Sequence, residues 1–182
     1  MSSLVAAKTP FPASSDVTDV DDGDATVTAG SFWPVISLKD LRMAARITGG
    51  VTTTRLMHVT TEAVGHVIEQ LEEWQLNQQV LGYEALQHVP AAEVNGKSVK
   101  VSRYHRAVYS IARALVIEGY RDVDTTPKGD KDAAALDLQR EDLWRDARWG
   151  IADIQRKPRV YAELCCCLLY TSDAADDLLC VD

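Results

Sequence analysis

Residues 128–159 read KGDKDAAALDLQREDLWRDARWGIADIQRKPR. The spacing predicts one long helix from about Lys131 to Gln155, with Leu136, Leu143, Ala147, Ile151 and Ile154 recurring on one side. Pro158 ends it, because the residue before a proline is pushed out of the helical region. Trp144 and Trp149 are five residues apart and so do not share a face. Trp144 lies beside Leu143 and Ala147 and reads as core. Trp149 lies near Arg145 and Arg148, and Trp and Arg are favoured at interface hot spots. Asp137, Glu141 and Asp142 interleave with Arg140, Arg145 and Arg148, as on a salt-bridge-laced helix surface.

Working back from this helix, the same period finds three more. A first helix starts with Ser37 as N-cap and Asp40 three residues later, runs through Leu38, Leu41 and Ala45, and stops at Gly49-Gly50. A second runs from about Thr53 to Leu81. Leu56, Val59, Ala63, Val67, Leu71 and Trp74 line its inner face, while Glu62, Glu69, Glu72 and Glu73 face solvent. Gly82 closes it. A third runs from about Ser102 to Arg121 on Tyr104, Val108, Ile111, Leu115 and Val116. Thr125-Thr126-Pro127-Lys128-Gly129 is the turn into the fourth. Residues 83–101 form a long connection with a small hairpin over 94–99, since Asn95-Gly96 suits a type I′ turn. The fold expected is all-α, a four-helix bundle-like domain with long loops.

Residues 1–31 read as a flexible, disordered acidic arm, rich in Ser, Thr, Pro, Asp and Gly and without a sustained apolar period. Phe32-Trp33-Pro34-Val35-Ile36 is the anchor that ties it to the body. At the other end, Cys167 to Asp176 back-translates to a transposase sequencing adapter. Residues 165–182 are therefore read as adapter read-through and not native, which nucleotide reads across the junction check. All four cysteines, Cys165, Cys166, Cys167 and Cys180, lie in or beside that tail. Without it no disulfide framework or thiolate zinc site is expected.

The chain carries a net charge of −8, but residues 32–164 hold 18 acids and 18 bases. A neutral body argues against a dedicated nucleic-acid binder. It leaves room for a local basic surface. Lys97, Lys100, Arg103, His105, Arg106 and Arg113 follow one another with no acid between Lys97 and Arg113, and Arg103, Arg106 and Arg113 share a helical face. This strip reads either as an ordinary solvated face or as one that meets phosphates or an acidic neighbour.

No catalytic, metal or cofactor site is expected. His58, His66, His88 and His105 lack a His-Glu-x-x-His spacing, and Gly96-Lys97-Ser98 lacks the upstream glycine of a phosphate loop. No apolar run suggests a signal peptide or a membrane span, so a soluble protein made in the cytoplasm is expected.

From about Phe32 to Arg159 the chain resembles the head completion proteins (GPL) of contractile-tailed temperate phages. The most specific residues are Lys128-Gly129-Asp130-Lys131, Leu143-Trp144-Arg145-Asp146, Arg148-Trp149, Ile154-Gln155 and Lys157-Pro158-Arg159. Gly96 to Val101 and Tyr104 to Val108 add weaker likeness. The resemblance implies a helical head-completion domain over 32–164 and a structural role, not an enzyme. It implies an adaptor that binds below the portal ring after DNA packaging, closes the filled head and offers a tail-docking surface. The partners implied are the portal protein, copies of itself in a ring, a tail completion protein and, without sequence preference, packaged DNA, but no membrane. The location implied is the virion head–tail interface after synthesis in the bacterial host cytoplasm. Interface or DNA-facing residues are expected among Lys97, Lys100, Arg103, Arg106, Arg113, Arg145, Arg148, Trp149, Lys157 and Arg159. The alternative is a DNA-packaging accessory of the small-terminase kind. That reading expects a basic N-terminal helix-turn-helix, where this N-terminus is acidic.

Overall fold

The computed structural model of the protein describes residues 22–121 and 129–159, with only the backbone described at 120–121 and 129–135. The expected adapter tail, residues 1–21 and most of the turn before the last helix lie outside the described residues.

Four helices carry the fold: α1 (Leu38–Ala44), α2 (Thr53–Val80), α3 (Val99–Arg121) and α4 (Gly129–Gln155). The protein is all-α, as the periodicity indicates. Two minimal antiparallel sheets join them: β1 (Thr26–Val27) with β2 (Ile36–Ser37), and β3 (Glu93–Val94) with β4 (Lys97–Ser98). The second is the expected hairpin, with Asn95 and Gly96 at φ 51° and 70°, the left-handed pair that a type I′ turn requires.

The helix ends follow local chemistry. Ser37 Oγ accepts from the Asp40 amide at α1, and Thr52 Oγ1 accepts from the Arg55 amide at α2. At the end of α2 the Gly82 amide donates to Gln79 O and the Tyr83 amide to Gln78 O, a Schellman closure around left-handed Gly82. The first helix departs from expectation. It stops at Ala44, well before Gly49-Gly50, and Arg46 takes the left-handed position at φ 52°. The Ile47 amide then donates to Arg42 O, and buried Ile47 seals the turn. The residues after it are needed elsewhere: Thr48 O and Val51 O accept from Arg42 Nη1. The third helix starts three residues early, at Val99, because β4 leads straight into it and the Val99 amide donates to Ala92 O.

The largest correction concerns the arm. Residues 22–31 belong to the body. β1 pairs with β2, Leu38 N donates to Ala25 O, and Asp22 is buried. Arg42 grips the Asp22 carboxylate with Nε and Nη2, and the Thr53 hydroxyl donates to the same group. Composition misses this, because one buried ion pair and one strand pair, not an apolar stripe, hold the segment. Phe32, Trp33 and Ile36 anchor it as expected. Trp33 stacks on Tyr104 with centroids 5.0 Å apart, and Phe32 sits edge-on to Trp33 and Trp74. Trp33 Nε1 donates to Gln75 Oε1 at 2.9 Å.

Behind this cluster, α2 and α3 bury Leu56, Val67, Leu71, Val108 and Ile111 completely or nearly so. α3 packs most extensively on α4, which returns antiparallel and inserts Ala147, Ile151 and Ile154. The two backbones come close at Gly150, where an added Cβ would lie 3.2 Å from Arg103 O and 3.3 Å from Ala107 Cβ. Leu136, expected to face inward, is 40 % exposed instead, since it lies toward the start of α4, beyond the part that packs into this core. Trp144 packs half-buried against the core, with Nε1 donating to Glu118 Oε1 at 3.2 Å.

Tyr104 is wholly buried, and no described residue offers its hydroxyl a hydrogen bond. Burial also pushes its phenol pKa upward. An unmet buried hydroxyl costs about 1–3 kcal/mol. Tyr104→Phe, which keeps the ring stack, is therefore expected to stabilise the fold by about 1 kcal/mol, read as a higher urea midpoint at unchanged m-value. A lower midpoint would mean that the hydroxyl is satisfied.

Candidate partner-binding surfaces

The antiparallel return of α4 decides what the basic run on α3 does. The last carbonyls of α4 lack helical partners and form the negative end of its dipole. The first turns of α3 lie against them. Lys100 is buried, with Nζ donating to Ile154 O at 3.1 Å and lying 4.7 Å from the centre of the Trp74 ring. Arg103 Nη1 donates to Asp153 O at 3.1 Å, and Arg106 Nη2 pairs with Asp146 Oδ1 at 2.9 Å. Lys100 and Arg103, near the N-terminus of α3, are unfavourable for that helix alone. Their gain comes from capping the neighbouring helix and neutralising its carboxylates.

This corrects the sequence reading at Lys100, which points inward, while Arg103 and Arg106 stay partly in solvent and brace α3 on α4. Desolvation, then the charges of Arg156 and Arg103, pull the Lys100 pKa down. The Arg159 hydrogen bonds, at 3.1 and 2.8 Å, are the main reason that Asp153 titrates below its usual range, with the charges of Arg103, Arg159 and Arg106 adding to them against burial.

What remains of the strip is a cleft of about 460 Å³ between α1, α3 and α4. Lys97, Arg106 and Arg113 reach it, over an apolar floor that includes Ala44, Ala45 and Leu143. His105 stacks on Tyr109 there, with rings 5.7 Å apart. Burial, then the nearby Lys97 charge, lowers the His105 pKa against the pull of Asp40. Lys97 and Arg113 form no ion pair among the described residues, so this cleft keeps two cations that no carboxylate contacts directly there.

A second surface lies on the far side of α4. Arg145 and Arg159 sit over Trp149 at 5.0 and 5.3 Å from its ring centre. Arg145 also pairs with Asp142 at 2.7 Å. Arg148 and Lys157 flank a shallow, mainly apolar groove beside the tryptophan. The structure thus gathers Arg145, Arg148, Trp149, Lys157 and Arg159 in one place, and sets them apart from Lys97 and Arg113. Arg156, missed in the sequence, lies on the other side of this helix end, in a cleft with Trp74, Tyr83 and Lys100. It is exposed, in a left-handed conformation at φ 58°, where α4 ends. The basic Arg-Lys-Pro-Arg run past the helix was the signal for it.

Neither surface is an enclosed site. Among the described residues no group of three His, Cys, Asp or Glu side chains is placed to hold a metal ion, and no helix is long and apolar enough to cross a membrane.

Residues 27–165 match the family of phage head completion proteins (GPL). The chain is 36 % identical over 163 residues to the head completion/stabilization protein of Escherichia phage P2, covering 87 % of this chain and 96 % of that protein. No solved structure matches the chain. The family match starts inside β1 and runs through the whole body, taking in the Asn95-Gly96 hairpin, the α3–α4 clamp and the Trp149 surface. This chain belongs to the phage head completion protein family.

Proposed function

We infer that this protein is a structural connector of the virion. It binds beneath the portal ring once DNA is packaged, in several copies arranged as a ring. It closes the filled head there and offers a docking surface to a tail completion protein. The observation that supports this reading best is the 36 % identity to a head completion/stabilization protein over 96 % of that protein's length. The described surface agrees with it: two separate cationic surfaces, each beside an open cleft of a kind that a partner protein or a phosphate backbone can cover. Electron microscopy of the protein mixed with the portal ring of its own phage tests the reading. Added density on the tail-facing side of the portal is the expected result. Bare portals beside a well-folded monomer would overturn it and favour a packaging accessory.

The Lys97–Arg113 cleft is the part of this surface best placed to meet packaged DNA, by charge alone and without base readout. Arg103 and Arg106 are poor probes of that contact, because reversing them breaks the α3–α4 clamp. Lys97→Glu with Arg113→Glu is the cleaner variant. It is expected to leave the thermal midpoint within a few degrees of the parent while lowering DNA retention in filled heads. Retention equal to the parent's would remove DNA from the list of partners.

A further inference from the structure

The cations of this body avoid nearly all of α2. No Lys or Arg occurs between Arg55 and Lys97. In that stretch α2 carries Glu62, Glu69, Glu72 and Glu73, all exposed, and no described cation pairs with them. At 100° per residue, Glu62, Glu69, Glu73, Leu76 and Val80 fall within a sector about 60° wide. The buried stripe of Leu56, Ala63, Val67 and Leu71 lies on the other side. Leu76 and Val80 are 56 % and 87 % exposed, so this outer face is acidic along one half and apolar at its end.

The outer face of the last turns of α4, from Arg145 onward, is its complement. Leu138, Arg145, Trp149 and Ala152 fall within a similar sector, opposite Ala147, Ile151 and Ile154. From Arg145 onward the only carboxylates of α4 are Asp146 and Asp153, and Arg106, Arg103 and Arg159 already engage them. Arg148 and Lys157 are exposed and form no ion pair among the described residues. Beside them is a groove of about 310 Å³, floored by Trp149, Ile151, Ala152 and Pro158. Arg145 and Arg159 both lie over the tryptophan ring, so little side-chain freedom is lost when a partner covers it.

We propose that the acidic-apolar outer face of α2 in one copy docks on the basic-aromatic outer face of α4 in the next. Each face looks away from the core that α2 and α4 share through α3, so a single copy does not satisfy its own pair. The contact joins unlike surfaces, which makes it heterologous, the kind that propagates from copy to copy and closes as a ring. The spacing agrees as well. Glu69 and Leu76 are seven residues apart, as are Arg145 and Ala152, about 10 Å along either helix. Glutamates set over Arg145 and Arg148 therefore bring Leu76 to the apolar groove. This inference rests on the ring reading of the proposed function and assigns its subunit contact.

The test uses the full chain with the photo-crosslinker p-benzoylphenylalanine in place of Leu76, alone at high concentration and on portal rings. The expected product is a covalent dimer whose linked peptide contains residues 148–158 of the second copy. Crosslinks to the portal, or to another part of the second copy, would overturn the pairing. So would a monomer in both conditions. Charge exchange supplies the second measurement. Glu69→Arg with Glu73→Arg, and separately Arg145→Glu with Arg148→Glu, are each expected to lower the dimer yield at least tenfold. Mixing the two variants is expected to restore two matched contacts, the exchanged pair in one order and the native pair in the other, and most of the yield. Unchanged yields in the variants would sink the proposal even where portals are fully decorated, and bare portals with an intact dimer would count against the portal reading alone.

Discussion

Arg42→Ala is expected to cost about 3–5 kcal/mol, the usual loss when one partner of a buried ion pair is removed. That is a large part of the ~5–15 kcal/mol by which a domain of this kind is stable. The Arg42 and Asp22 side chains are 11 % and 1 % exposed. The guanidinium ties the entering chain to the loop after α1. It grips Asp22 of the entering chain through two nitrogens, and donates to Thr48 O and Val51 O in the loop after α1. Its Asp22 partner in turn accepts from Thr53 in the first turn of α2. Removing it leaves a buried carboxylate and two carbonyls without their donor.

The pair also sets an acid limit. The Arg42 hydrogen bonds, the Thr53 hydroxyl and the Arg42 charge together hold the Asp22 carboxyl below its usual range, against burial. A group whose folded pKa is depressed contributes stability above its unfolded pKa of about 3.9, and that contribution is lost as the pH falls through the folded value. Asp153 behaves in the same direction. Urea titrations of the parent and of Asp22→Asn should therefore differ most near neutrality and converge below about pH 4. A gap independent of pH would show that the carboxylate charge is not what binds the segment.

Trp33→Ala is the second large effect, about 3–5 kcal/mol for an aromatic lost from a core. Trp33 is 5 % exposed and stacks on Tyr104 of α3 at an interplanar angle of 18°. It also meets Gln75 of α2 through its indole nitrogen. Its removal opens a cavity among Phe32, Trp74 and Tyr104 and takes the donor from Gln75. Trp33→Phe keeps most of the burial and loses the hydrogen bond, so about 1–2 kcal/mol is expected there. Chemical denaturation followed by circular dichroism, which reads the helices and not the missing fluorophore, separates the two. Near-equal losses in both variants would mean that the hydrogen bond outweighs the packing. Since Trp33 and Arg42 hold the same entering segment, their double variant should lose less than the sum of the singles.

The sequence was most legible where the physics is local. The period of Leu56, Val59, Ala63, Val67 and Leu71 places α2 almost to the residue. The Ser37 cap fixes the start of α1, Gly82 the end of α2, and Asn95-Gly96 the hairpin. Each of these depends on neighbours within a turn or two, so composition and spacing carry it. The resemblance read from Leu143-Trp144-Arg145-Asp146 and Lys157-Pro158-Arg159 carried the family, which the match over residues 27–165 shows.

The cations were less legible. Lys100, Arg103 and Arg113 look alike in sequence, yet one caps Ile154 fifty-four residues away, one holds Asp153, and one lines an open cleft. Whether a cation meets solvent or a helix end depends on which helix returns beside it, and in which direction. That is a property of packing and not of spacing. Asp22 makes the same point. Its segment has the composition of a flexible arm, and only the arrival of Arg42 from α1, with the desolvation and hydrogen bonding this brings, fixes it to the body. Sequence thus determined the helices, their inner faces and the family. Tertiary structure decided which charges were consumed inside the fold and which were left outside for partners, because the energy of a charge depends on what surrounds it in space.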